Sequence, residues 1–190
     1  MPELALHFSV VFTLTASRLG VKKATLLSFL TLLPDLDALM HVHRSMSHSI
    51  PLLALVYAPV LLAVRKLKPK YFSLALLGLL TLIIHPLMDC FQTYTPLLYP
   101  ILQSSLWLKV DGGIQITPAG LKPQVSAHLK NTPTVFKSFT TMDAPIFTSE
   151  ALPVSLLLVA IPLLLNFKRR GKTAGLKGAE KPHQAYAFNA

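Results

Sequence analysis

The run Tyr71 to Met88, YFSLALLGLLTLIIHPLM, limits the fold most. Its polar members are only Ser73, Thr81 and His85, and Asp89 stands one place beyond. In hydrocarbon a backbone must satisfy its own hydrogen bonds, so such a run folds as a helix, and its length approaches the roughly 20 residues of a bilayer span. Four further apolar runs accompany it: Leu4 to Ala16, Ala24 to Leu33, Ile50 to Val64 and Ala151 to Phe167. The first two are short for a span and predict a helical hairpin that enters the bilayer without fully crossing it. The expected fold class is an all-α integral membrane protein, with four to five short transmembrane or re-entrant helices and a partly irregular outer segment.

Composition agrees. Of 190 residues, 52% are hydrophobic and 14% charged, against about 25% charged in ordinary soluble domains. The net charge of +10 is not that of a nucleic-acid binder, because no basic stripe with interleaved aromatics is present. Lys and Arg instead cluster between apolar runs, at Arg18–Lys23, Arg65–Lys70 and from Lys168 onward. By the positive-inside rule these clusters face the cytoplasm of an inner, multi-pass membrane protein. The N-terminus, the Pro34–Ser49 loop and the Cys90–Glu150 segment then share the opposite, extracytoplasmic side. Pro2-Glu3 carry no positive charge, which argues against a cleaved signal peptide, and the lone Cys90 excludes an intramolecular disulfide.

The expected organisation is a helical membrane domain over 1–100, an extracytoplasmic loop segment over 101–150, a transmembrane helix over 151–170 and a disordered cytoplasmic tail over 171–190. Within the loop segment, Asp111-Gly112-Gly113 reads as a turn and Ile114–Thr117 as strand, giving one or two short hairpins. Its lysines Lys109, Lys122, Lys130 and Lys137 suit anionic lipid headgroups, or a solvated loop.

Ionisable residues gather where such a chain can least accommodate them. Asp35, Asp37, His41, His43, Arg44 and His48 fall within one short loop between apolar runs. His85 and Asp89 are four apart, on one helical face, and can reach a single ion; a polar histidine and a capping aspartate are the plain alternative. His7 lies near the start of the first run. All of these converge on the side opposite the basic clusters, although that topology was drawn from Lys and Arg alone. Carboxylate with neutral imidazole is a ligand set for a divalent metal, zinc first, with one or two ions expected. Asp35 and Asp37 supply a ligand and a bridging or basic carboxylate, and Arg44 a fork for an anion. His48 precedes the third run, and a helix N-terminus favours its neutral form. His41 is the weaker member. His128 and His183 stand alone as solvated residues, and Asp111 and Asp143 read as turn residues.

Four motifs in order carry a resemblance: His7; Leu-Leu-Pro-Asp-Leu-Asp at 32–37; His-Arg-Ser-Met-Ser-His-Ser at 43–49; and His-Pro-Leu-Met-Asp at 85–89, followed by Thr95 and Leu-Tyr-Pro at 98–100. Over about residues 4–100 the chain resembles the YdjM-like family of membrane-bound, LexA-regulated inner-membrane proteins, inferred to be metal-dependent hydrolases. That family is described as distantly similar to zinc-dependent phospholipase C and P1-type nucleases. The resemblance implies His7, Asp35, Asp37, His48, His85 and Asp89 as metal ligands, with His43 and Arg44 beside them. Ser45 and Ser47 replace the family's glycine and threonine. The second helical His-x-x-x-Glu pair of the soluble enzymes is missing, which implies one or two ions rather than three.

The function expected is metal-dependent hydrolysis of a phosphate ester at the outer face, with Asp35, Asp37 and Arg44 in catalytic roles. A phospholipid or a polyprenyl phosphate is the natural substrate at headgroup depth. The alternative is a metal-stabilised membrane scaffold or sensor without catalysis.

Overall fold

A computed structural model describes residues 4–118, 120–141 and 146–179, with side chains to Phe167 in the last segment. Five helices and one β-hairpin make up the described fold: α1 (Leu4–Leu19), α2 (Val21–Leu30), α3 (Ile50–Leu67), α4 (Phe72–Gln92), β1 (Ser104–Thr117), β2 (Gly120–Pro133) and α5 (Ala151–Ala179). The segment between α2 and α3 forms two 3₁₀ turns, Leu33–Met40 and Met46–His48.

Helix α4 organises the rest. Its buried residues are Gly78, Thr81, Leu82, His85, Pro86, Asp89 and Cys90, a stripe of helical period. The buried stripe is the polar one, while Leu76, Leu80, Leu87 and Phe91 face outward. Thr31 Oγ1 donates to the Thr81 carbonyl at 2.8 Å, fixing the end of α2 to α4. A Cβ at Gly78 would lie 2.5 Å from Tyr57 Oη and 3.0 Å from Leu30, so this glycine lets α2 and α3 close on α4. On the far side, Phe12, Ala16 and Ala24 form a small core joining α1, α2 and α5.

Two helical segments are long and apolar enough to cross a membrane, Ile50–Leu67 and Pro69–Gln92, the second being α4 with the 3₁₀ turn before it. No residue of α3 is buried. Leu4–Leu19 and Ala151–Phe167 are shorter apolar helices, so among the described residues two of the four to five short transmembrane or re-entrant helices expected reach spanning length. The short α1 and α2 pack on each other as the expected hairpin.

The all-α expectation is also corrected. β1 and β2 form one antiparallel ribbon of 14-residue strands, longer than the short hairpins expected. Asp111-Gly112-Gly113 is not its turn: these residues pair with Ser126, Val125 and Gln124 inside the ladder. The chain reverses between Thr117 and Gly120, where Gly120 takes φ 116°, a conformation that suits glycine. Asp111 pairs with Lys109 at 3.0 Å on the strand. The register places Leu108 opposite Leu129, Val110 opposite Ala127, Ile114 opposite Pro123 and Ile116 opposite Leu121, so one face of the ribbon is apolar.

α5 continues to Ala179, so residues 171–179 of the expected disordered tail are helical. The remainder of that tail, with His183, and also Asp143, lie outside the described residues.

Candidate metal centre

Three parts of the chain meet beside the C-terminal half of α4: the first turn of α1, the 3₁₀ segments before α3, and α4 itself. Pro34 begins the first 3₁₀ segment, where its fixed φ suits an opening turn. Asp35 and Asp37 leave this turn toward the two ring nitrogens of one imidazole. His48 Nε2 lies 3.4 Å from Asp35 Oδ1, and His48 Nδ1 lies 3.4 Å from Asp37 Oδ2. The loop between is folded back by Ser45 N–H, which donates to Asp37 Oδ2 at 2.8 Å. His41 and Arg44 adopt left-handed backbone, φ 56° and 55°, which costs a non-glycine residue about 1–2 kcal/mol. At Arg44 the guanidinium compensates: Nε donates to Asp89 Oδ2 at 3.1 Å.

His7, His48, His85 and Asp89 are fully buried and Asp37 nearly so. Four donors converge: Asp35, His48, His85 and Asp89 each offer an atom within 4.8 Å of the others. His85 Nε2 is 3.2 Å from Asp35 Oδ1, 3.3 Å from His48 Nε2 and 4.0 Å from Asp89 Oδ2, and His48 Nε2 is 3.3 Å from Asp89 Oδ2. Donors held about 2.0–2.1 Å from a tetrahedral ion stand roughly 3.3 Å apart. The spacing therefore fits a coordination shell. Asp37, His43 and His48 form a second group, with His43 Nδ1 3.5 Å from Asp37 Oδ1.

Charge gives the same answer. Asp35, Asp37 and Asp89 set three negative charges against the single Arg44. With neutral histidines, two buried negative charges remain, and leaving these unpaired is costly. One divalent cation balances them.

Protonation follows from this surplus. Burial alone would raise the Asp35 carboxyl, but hydrogen bonds from His48 and His85 hold it well below the usual carboxylate range. Asp37 is likewise depressed against its burial, by His43, His48, the Ser45 N–H and Ser47. Burial would lower His48, yet Asp35, Asp37 and Asp89 push it up to about 10. The neutral imidazole expected from the start of the helix is thus overridden in the metal-free site: a proton on His48 and a metal cation answer the same negative surplus.

Ser47 decides the tautomer when His48 is neutral. Its hydroxyl donates to Asp37 Oδ2 at 2.7 Å and lies 2.9 Å from His48 Nδ1. A hydroxyl has one proton to give, so Nδ1 carries a hydrogen and donates to Ser47. Nε2 is left as a lone pair facing Asp35, His85 and Asp89. This is the carboxylate-supported histidine common at metal sites.

The remaining sequence candidates fall around this shell. His7 Nε2 meets Asp89 Oδ1 at 3.3 Å, opposite the oxygen that faces His48, and its ring lies 4.4 Å from that of His85. His41 is exposed and packs edge-on against Phe139. His128 is exposed on β2, opposite Lys109. Ser47 and Tyr94 carry no expected role in the sequence, and Lys137 is expected only as one of four lysines suited to anionic headgroups or a solvated loop. A hydroxyl one place before a candidate ligand was a usable signal for Ser47. Tyr94 and Lys137 carry none, because they join His43 and Arg44 only in space, around a polar cavity of about 340 Å³.

The profile of the YdjM inner membrane protein family matches residues 5–172. The chain belongs to that family. The match runs well past the motif-bearing region, through the ribbon and into α5. No curated protein and no solved structure shows significant similarity to the chain.

Proposed function

We propose that this YdjM-family protein is a membrane-bound, metal-dependent hydrolase of phosphate esters, with a lipid phosphate as substrate. One observation carries the reading: four donors with tetrahedral spacing and a surplus of two negative charges stand beside a polar cavity walled by Arg44 and Lys137. Asp35, His48, His85 and Asp89 would hold the ion. Two imidazoles with two carboxylates suit zinc first. Asp37 and His43 would hold a second ion if there are two. A bound divalent ion brings the pKa of its water to near 7 and polarises a phosphoryl oxygen.

The chain's own residues supply the rest. Arg44 Nη2 is buried with no hydrogen-bond partner among the described residues, and a guanidinium binds a phosphoryl group through its fork. Asp37 Oδ1, 3.5 Å from His43 Nδ1, and the one lone pair of the neutral His43 ring provide acceptors for a proton leaving the attacking water. Asp35 is the most accessible of the three carboxylates, at 13%. The extracytoplasmic placement is supported by the chain order of charges: the donors lie at the ends of α1, α3 and α4 opposite Arg18–Lys23 and Arg65–Lys70.

The same donor count favours a second reading. Four protein ligands fill a tetrahedral shell, as in structural zinc sites, and a site so closed would make the protein a metal-stabilised scaffold or sensor. Purified protein assayed on labelled phospholipids and on a soluble phosphodiester, with and without chelator, separates the two. Turnover stopped by chelator, restored by zinc, and lost in Asp37→Ala and His85→Ala supports the hydrolase. Bound metal without turnover on any phosphate ester supports the scaffold.

A further inference from the structure

A second cavity, of about 470 Å³, reaches residues beside the centre and is lined by neither Arg44 nor Lys137. Its walls are Leu52, Leu53, Val56 and Tyr57 on α3, Leu33 and Pro34 on the first 3₁₀ turn, and Leu82 on α4. No charged residue lines it. Val56 is 76% exposed at its rim and Leu82 5% at its floor. This rim belongs to α3, a helix of spanning length with no buried residue, so in a bilayer the groove opens toward hydrocarbon. Its other end closes on Ser47 and Pro34. Ser47 is bonded to Asp37 and next in sequence to His48, and Pro34 immediately precedes Asp35. The loop that carries the centre thus lines both the apolar groove, through Pro34 and Ser47, and the polar cavity, through His43 and Arg44.

We propose that the groove seats one hydrocarbon chain of the substrate, leading an amphiphilic phosphate ester to the centre with its phosphate toward Arg44. This rests on the hydrolase reading for the reaction, but not for the binding of the chain. An alkyl chain leaves water as readily for the bilayer as for an apolar groove, so the groove contributes the fit of one chain and the placing of its phosphate beside the centre. A soluble phosphate ester would forgo that contribution entirely. The groove is a single channel, so a second acyl chain of a diacyl lipid remains in the bilayer.

Two readouts test this on the full chain in phosphatidylcholine nanodiscs. The first is photolabelling by an alkyl phosphate with a diazirine at its tail. Label at Leu82 is expected to saturate and to be displaced by excess dodecyl phosphate, while label at the outward-facing Leu55 and Leu62 reports bulk lipid and is not displaced. Val56→Trp, at an exposed position that forfeits no core packing, is expected to remove the saturable label. The second readout is the ratio of kcat/KM for nitrophenyl dodecyl phosphate over nitrophenyl methyl phosphate in the zinc-loaded protein, expected to fall about ten-fold or more in Val56→Trp. Saturable label at Leu82 without turnover of either ester upholds the groove and overturns the hydrolase. Turnover that ignores chain length, with no saturable label at Leu82, overturns the groove and leaves the hydrolase standing.

Discussion

His48 Nε2 and His85 Nε2 face each other at 3.3 Å, both side chains fully buried, from positions 37 residues apart in the chain. Because Ser47 fixes the His48 proton on Nδ1 in the neutral ring, Nε2 brings a lone pair to this contact. Two imidazole nitrogens and two carboxylate oxygens turned to one point are repulsive unless a cation or a proton lies among them. His85→Ala removes one of the four donors and is expected to weaken zinc binding by more than about 100-fold, since even supporting residues contribute 10–100-fold. His128→Ala, on the exposed ribbon, is the matched control and leaves affinity unchanged. Competition with a chromophoric chelator measures both.

Ser47 has no place in the shell, yet it holds the tautomer. Ser47→Ala is expected to lower zinc affinity about ten-fold, within the range of supporting residues, and Ser47→Thr to restore it, because the hydroxyl is what matters. The same titration checks this. If the alanine variant binds as tightly as the parent, the proton relay from His48 to Asp37 does not orient the ligand.

The centre binds protons and metal in competition. His48, raised to about 10, holds its proton at neutral pH in the metal-free protein, so binding an ion releases about one proton. Apparent affinity should rise about ten-fold per pH unit between pH 7 and 9. Calorimetry in buffers of different ionisation enthalpy counts the proton directly. For the metal-free fold the signs are opposite at the two ends. The raised His48 contributes stability that is full below its unfolded value near 6.5 and is lost as pH climbs through about 10. The depressed Asp35 and Asp37 contribute stability that is present above the unfolded value near 3.9 and is lost on acidification. Thermal melts of chelated protein across pH 3 to 11 should therefore show a plateau falling at both ends.

Arg44 combines a strained backbone, a bond to Asp89 and an unpartnered Nη2 at the polar cavity. Arg44→Lys keeps the charge and loses the fork. It is expected to retain zinc and to lower kcat/KM on a phosphodiester by about 10² or more, the scale of one lost anion-stabilising donor. Metal content by mass spectrometry alongside kinetics separates the two effects; loss of zinc would make Arg44 a support for Asp89 instead.

Much of the centre was legible from the chain. His7, Asp35, Asp37, His43, Arg44, His48, His85 and Asp89 all come together, because ionisable groups among apolar runs have few places to go and the distribution of Lys and Arg puts them at one end. The division of labour was not legible. Which oxygen of Asp89 meets His7 and which meets His48 depends on a helix rotation that no spacing encodes, and the role of Ser47 depends on a 3₁₀ turn. The ribbon was under-read for a related reason: Asp-Gly-Gly is a strong local turn signal, but cross-strand pairing of Leu108, Val110, Ile114 and Ile116 with apolar partners carries the ladder through it. The shortness of the first two apolar runs is legible in the chain: α1 and α2 are too short to cross alone and bury part of their surface on each other and on α4 and α5.

X-ray absorption at the zinc edge, on protein purified without chelator, reads the shell formed by Asp35, His48, His85 and Asp89. At least one zinc per chain is expected, in a shell of nitrogen and oxygen only, at about 2.0–2.1 Å, with imidazole scattering that is halved in His85→Ala and retained in His128→Ala. Zinc absent from the parent protein, or an unchanged spectrum in His85→Ala, would contradict that shell.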